Sequence, residues 1–327
     1  MSNKIQYPMQ KLRELYQHFS DVHILVVGDL ILDHYIWGKV ERISPEAPVP
    51  VLSVQRRESR IGGAGNTAAN LASLGAKVTV AGICGDDPEA ATLRTLLGQE
   101  GIRTLIATDN SRSTTSKSRV IAQRQQLLRI DEENTETIKP DIKHELHQKI
   151  LANAVDYQGV ILSDYAKGVL SPGLLAQIVA LFPSIPVIID PKGYNYSKYA
   201  GATALKPNFK EFRAAVKHPE LQKDEIELYA RKLVGQLSLK GMLVTLGEDG
   251  VFVLDDRAQS HIIPTKAKEV FDVSGAGDTF TAAFTAALVL SGDWFLSARA
   301  ANLASGVAVA KIGTATVTVE EIFNNYK

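Results

Sequence analysis

One cysteine in 327 residues leaves nothing for an internal disulfide and no thiolate cluster for a metal. Cys84 therefore reads as a small buried residue, in keeping with a reducing cytoplasm. No sign of charge dominates either. The 36 Lys and Arg balance 36 Asp and Glu, so no overall field draws the chain to nucleic acid or to an anionic membrane. Neither is expected as a partner. Long apolar runs are also missing, since the longest, Ala282 to Leu290, is too short to span a bilayer and is interrupted by Thr285. The N-terminal MSNKIQYPMQKLRELYQHF mixes charge with apolar positions at helical spacing. It predicts a short amphipathic helix rather than a secretory signal. Repeats, low-complexity tracts and linkers rich in Pro, Gly or Ser are absent, which argues for one large domain over 1–327. No GxxxxGK[ST] occurs, which disfavours a P-loop phosphate site.

What is present is a rhythm. Short runs rich in Val and Ile recur between helical patterns: HILVVGD (23–29), KVTVAGI (77–83), GVILSD (159–164), PVIID (186–190) and GMLVTLG (241–247). Such alternation implies an α/β chain with a doubly wound, mainly parallel sheet flanked by helices. Ligands of such sheets bind beyond the carboxyl ends of the strands, where Asp29, Asp33, Asp164, Asp190 and Gly247 are expected to converge. Two segments, 34–60 and 103–131, look like strands without intervening helices and suggest a small antiparallel lid inserted into the domain. Ala-rich patterns at 277–291 and 295–311 predict two long helices over one face of the sheet.

The sharpest motif is DVSGAGDTF, Asp272 to Phe280, with small residues ahead of an acid where a helix begins. Gly275 and Gly277 allow a tight turn whose amides hold an anion, with Ala276 between them. Asp278 falls in the first helical turn, where a carboxylate can take a proton from an attacking hydroxyl. Asp278 and Ser274 would also suit a plain helix start.

A second glycine cluster, GGAGNTAANLASLG (62–75), runs into a helix beginning near Asn66. Its amides could cradle a polar ligand, and Asn66 offers both a donor and an acceptor. Gly63, Gly65 and Ala68 also fit a loose dinucleotide fingerprint, but no strand is read as leading directly into them, so a dinucleotide oxidoreductase is the weaker alternative. In KPNFKEF, Asn208 and Glu211 share one face of a helix start and could hold hydrated Mg²⁺ beside phosphates, or simply cap the helix. VTLGEDG (244–250) ends a strand in a loop where Gly247 and Gly250 could approach a nucleotide, or in a plain hairpin turn. Arg112, Lys117, Arg119, Arg124 and Arg129 gather in the second lid segment, where alternate positions could clamp a phosphate. His144 and His147 read as surface residues and His34 as part of the lid.

With these motifs together, the chain resembles the ribokinase-like (PfkB) carbohydrate kinases along essentially its whole length. GGAGN at 62–66 and DVSGAGD at 272–278 look like the two family signatures in the right order and separation. The resemblance implies an ATP- and Mg²⁺-dependent sugar kinase. Asp278 would be its catalytic base and Gly275, Ala276 and Gly277 its anion hole. Asp33, Gly63, Asn66, Asp164 and Lys167 would face the sugar, with Lys117, Arg119 and Arg124 toward any phosphate on it. Lys192, Asn208, Glu211, Thr245, Gly247, Gly250 and Asn302 would face ATP, with Glu211 reaching Mg²⁺ through water. RISPEAPVPVL, RQQLLRID, LSDYAKGVL, IDPKG and KIGTATV resemble the branch that phosphorylates O1 of D-glycero-D-manno-heptose 7-phosphate, with a kinase for another sugar or a nucleoside as the alternative. In that branch a second, nucleotidyl-transferring half often follows; ending at Lys327, this chain is expected to be the kinase alone. A homodimer joined through exposed lid edges is also implied. Two positions depart from the usual pattern: Ser274 stands where Thr is common, and Lys206 precedes Pro207 where Thr is frequent.

Overall fold

In the computed structural model, residues 7–123, 125–265 and 271–326 are described. Helix α1 (Met9–Gln17) leads to strand β1 (His23–Gly28). The chain then leaves the layer as a hairpin of β2 (Leu30–Ile43) and β3 (Pro50–Gly63), and returns through α2 (Ala64–Ser73) to β4 (Lys77–Cys84). Helix α3 (Pro88–Gln99) and β5 (Arg103–Thr108) follow, then a second hairpin, β6 (Ser116–Ala122) and β7 (Gln125–Glu132). Next come α4 (Pro140–Leu151), β8 (Gly159–Ser163), α5 (Pro172–Leu181), β9 (Val187–Asp190) and β10 (Ala204–Leu205). After α6 (Phe209–Ala215) and α7 (Ile226–Leu237), β11 (Gly241–Thr245), β12 (Val251–Leu254) and β13 (Ser260–Ile263) complete the strands. Helices α8 (Ala276–Ser291), α9 (Trp294–Ala308) and α10 (Val319–Asn325) close the chain.

Among the described residues the main sheet has the order β13-β12-β11-β10-β9-β8-β1-β4-β5, parallel except at β11–β12–β13. Strand β1 shows why its sequence is apolar throughout. Ile24 and Val26 point into one core with Phe280 and Phe284, while Leu25 and Val27 point into the other with Leu162 and Phe212. Both faces are covered, so the period of two disappears from the hydrophobic pattern.

The lid is a separate sheet, β3-β2-β6-β7. Its two hairpins are antiparallel, and they join through a parallel pairing of β2 with β6. That pairing follows from the route of the chain, because β2 and β6 each leave the main sheet after one of its parallel strands, β1 and β5. The expected lid bounds need correction. Arg103–Thr108 pairs in parallel with β4 at the edge of the main sheet, and the second lid segment starts at Ser116. No helix separates β5 from β6, so the edge strand and the lid strands looked like one run of strands. A strand also does lead into GGAGN, since β3 ends at Gly63 and α2 starts at Ala64. It is a lid strand antiparallel to β2, not the first strand of a parallel βαβ unit.

Asp29, just past β1, ties these parts together. Its buried carboxylate accepts from the amides of Tyr165 (2.8 Å), Lys167 (3.1 Å) and Val169 (3.2 Å). Its carbonyl accepts from the Ala64 amide at 2.9 Å. Gly63 makes that approach possible at φ +58, where a Cβ would lie 2.3 Å from the Asp29 carbonyl oxygen.

Candidate active site

Strands β8, β9 and β11 end on a cavity of about 1000 Å³ whose lining includes Asp164, Asp190 and Thr245, and the start of α8 lines it as well. Gly275 sits at φ +77, and a Cβ there would stand 2.9 Å from the Asn66 side-chain nitrogen. Backbone and space both demand glycine. Ala276, Gly277 and Asp278 form the first turn, which carries no side-chain cap, so its amides and the helix dipole suit an anion.

Asp278 is 4% exposed. Its Oδ2 accepts from Asn66 Nδ2 at 2.6 Å and its Oδ1 from the Tyr165 hydroxyl at 2.7 Å. Burial pushes the carboxyl up to about 6, with Asp190 adding to the rise while Asn66, Tyr165 and Lys206 oppose it. Such a group is charged at neutral pH yet close enough to titration to hold a proton, as a general base must.

Beside it lies a pair of which the strand-end reading had placed only Asp190 at the crevice. Lys206 Nζ is 3.1 Å from Asp190 Oδ2, and the Thr281 hydroxyl donates to the same oxygen at 3.3 Å. The ammonium is 3.4 Å from where a Cβ on Gly277 would stand. A buried cation thus flanks the anion-binding turn. The signal for Lys206 was its departure from the usual pattern, which is uninformative before the strands are assembled.

The other wall gathers the residues expected to face ATP. Lys192, Asn208, Glu211, Thr245, Gly247, Gly250 and Asn302 all line the same cavity. Asn208 and Glu211 form a reciprocal capping box, with Asn208 Oδ1 accepting from the Glu211 amide (2.9 Å) and Glu211 Oε2 from the Asn208 amide (3.1 Å). Glu211 Oε1 also accepts from Lys192 Nζ at 3.1 Å. The Thr245 amide donates to the Pro207 carbonyl at 3.0 Å, joining this corner to the hairpin. The plain-hairpin reading of 244–250 is correct, and the hairpin walls the cavity as well. Asn302 donates to the Ile263 carbonyl at 2.8 Å.

The residues expected to hold the sugar are divided. Asn66 touches Asp278, whereas Asp33, Lys117 and Arg119 gather at the base of the lid. Arg119 donates to Asp33 Oδ1 at 2.6 Å, and Thr314 approaches Oδ2 at 3.4 Å. Lys117 contacts Asp131 and Glu133, both at 2.9 Å, and Lys167 meets Glu133 at 2.7 Å. Asp164 lines the cavity but also has a bracing task. Its carboxylate is taken by the Ala166 amide, the Tyr199 hydroxyl and Lys198, so it braces the loop. Gly63 has a backbone task at Asp29. Arg112 is a strut to Asp109 and to the carbonyls of Lys167 and Glu136, and Arg129 pairs with Asp131 on the exposed strand. Arg124 lies outside the described residues.

Comparison with known proteins decides the family. The family described as pfkB family carbohydrate kinase matches residues 22–321. The chain belongs to it. A curated relative, "Bifunctional protein HldE" of Pelobacter propionicus, is 42% identical over 318 residues, spanning 96% of this chain and 65% of that protein. The protein of the same name from Campylobacter curvus is 45% identical over 304 residues, 92% of this chain and 64% of that one. The chain thus covers somewhat less than two thirds of these relatives' length. Phosphofructokinase-2 from Escherichia coli in complex with potassium aligns with TM-score 0.76 at 21% identity, covering 93% of this chain and 97% of that one. Ribokinase from Arabidopsis thaliana, complexed with ribose and ATP, gives TM-score 0.72 at 21% identity, covering 94% and 99%. These two share the fold.

Two outcomes follow from the geometry. Asp278→Asn keeps the size of the side chain but cannot take the proton, so turnover falls about 10² to 10⁴-fold while nucleotide binding, followed by calorimetry, persists. Near wild-type turnover in the folded variant removes the role. Glu211→Ala raises the Mg²⁺ concentration needed for half-maximal rate; an unchanged requirement reduces Glu211 to a helix cap.

Proposed function

We propose that this chain transfers the γ-phosphoryl group of ATP to the anomeric hydroxyl of D-glycero-D-manno-heptose 7-phosphate, giving the 1,7-bisphosphate and ADP. The observation that carries the chemistry is Asp278, a buried carboxylate raised to about 6 at the mouth of an anion-binding helix turn. It takes the proton of the sugar hydroxyl as the bond to phosphorus forms. The amides of 275–277 and the Lys206 ammonium offset charge on the phosphoryl oxygens, since positioning and electrostatics dominate this chemistry. The corner of Lys192, Asn208 and Glu211 suits Mg²⁺ held mainly by water and nucleotide phosphates. Both Glu211 oxygens already have protein partners, and among the described residues no three His, Cys or acidic side chains form a metal cage. When bound, the ion supplies positive charge to the phosphates.

The phosphate already on the acceptor is supported by Lys117 and Lys167, half-buried ammonium groups that meet at Glu133. One lysine comes from the lid and the other from the loop after β8, so a phosphate between them would join lid to body. A neutral sugar has no use for this pair. Heptose 7-phosphate is therefore turned over with kcat/KM at least about tenfold above that of unphosphorylated heptose, as one to two charge-assisted hydrogen bonds would give. Lys117→Ala and Lys167→Ala shrink the advantage. Equal efficiency on the two acceptors refutes the heptose-phosphate reading and leaves a kinase for another sugar.

The lid also supports a homodimer. Leu127, Leu128 and Ile130 on β7 are 41%, 55% and 47% exposed, and Ile43, Val49 and Val54 at the other hairpin are exposed as well. A sheet with open edges and such side chains calls for a covering partner. Sedimentation should give twice the 35.5 kDa chain mass, and Leu128→Asp should lower it. A monomeric wild-type protein at micromolar concentration refutes the dimer.

A further inference from the structure

The loop after β8 contributes one hydroxyl to the site, and the rest of the loop is organised to hold it there. The Tyr165 amide is fixed to Asp29 Oδ2 at 2.8 Å and the Ala166 amide to Asp164 Oδ1 at 2.7 Å. Ala166 adopts φ +57 and Gly168 φ +89. At Gly168 a Cβ would fall 1.9 Å from the Glu136 carbonyl oxygen, so only glycine lets the loop pack this closely against that segment. From this base the phenol reaches across the cavity to Asp278 Oδ1 at 2.7 Å.

We propose that Tyr165 is a positioning residue for phosphoryl transfer, its hydroxyl holding Asp278 Oδ1 so that the carboxylate stays charged and keeps one fixed plane between two donors. Asn66 holds the other oxygen at 2.6 Å. Each carboxylate oxygen has two acceptor positions, so one on each remains for the substrate hydroxyl and its proton. Hydrogen bonds to the charged form favour that form. The charged groups facing Asp278 pull in opposite directions, Asp190 against ionisation and Lys206 for it. The phenol itself is held well above its ordinary value by burial and by Asp278, Asp190 and Asp33, so it stays a donor and does not compete as a base.

The inference rests on Asp278 being the base but not on the identity of the acceptor, and its test can be read without turnover. In the full-length protein labelled with [4-¹³C]aspartate, the Asp278 carboxyl signal is the one lost in Asp278→Asn. Its titration midpoint should rise by about one pH unit in Tyr165→Phe, the loss of one good hydrogen bond to a carboxylate. Replacing Tyr165 with 3,5-difluorotyrosine, a stronger donor, should lower it. In the rate assay with heptose 7-phosphate, the acid limb of kcat/KM moves up with the carboxyl from about 6, so Tyr165→Phe loses about fivefold at pH 6, approaches tenfold at lower pH and recovers most of it near pH 8.5. An unmoved midpoint in both variants, or a rate loss equal at every pH, overturns the proposal and leaves Tyr165 as packing. Absence of turnover in the wild type would count against the acceptor only, since the NMR midpoint still decides the role of Tyr165.

Discussion

The site depends on a carboxylate that never touches it. Asp29 has no room for solvent and accepts three loop amides on its side chain and the first amide of α2 on its carbonyl. The loop brings Tyr165 and the helix brings Asn66, which are the two donors on Asp278. A buried acceptor serving several amides is specific because each unmade bond would cost about 1 to 3 kcal/mol. One residue at the end of β1 therefore sets the relative position of three segments far apart in sequence. Parallel sheets make this possible by delivering the ends of successive strands to one edge.

Around the base the charges are arranged as a compromise. Burial raises the Asp278 carboxyl, and Asp190 pushes further in that direction. The two hydrogen bonds and Lys206 oppose both effects, so the carboxyl stays within reach of neutral pH. Lys206 in turn is buried, 3% exposed, and stands against Asp190. Pairs of this kind rarely add stability over an apolar replacement, so their presence at an anion-binding turn points to chemistry. The Lys117–Glu133–Lys167 bridge repeats the logic at the lid, with a carboxylate standing where the proposed phosphate would sit.

What was legible in the sequence was whatever depends on local chemistry. DVSGAGD carried its turn, its helix start and its acid within seven consecutive residues, and α8 begins within the run of small residues, at Ala276. The Val and Ile runs revealed a parallel sheet because strands covered on both faces have no polar side to blur the pattern. The lid boundary was misplaced because β5 at the sheet edge passes to lid strand β6 with no helix between them. The bracing task of Asp164 was not legible, because its position at a strand end is visible in sequence while its partners Lys198 and Tyr199 are supplied by a later turn.

By itself, then, the sequence determined the class of fold and singled out the glycine-rich turn with Asp278 as the candidate base, since each is written in neighbouring residues whose conformational demands are local. Only the tertiary structure decided which acids work and which merely brace. Asp29, Asp164 and Asp190 all stand at strand ends, and nothing in their neighbouring residues separates them. Their roles, like that of Asp278, are assigned by what the fold packs against each: backbone amides for Asp29, a lysine and a phenol for Asp164, the Lys206 ammonium for Asp190, and for Asp278 two donors that leave acceptor positions free. Protonation and reactivity respond to that three-dimensional surrounding, because burial and nearby charge act through space and not along the chain.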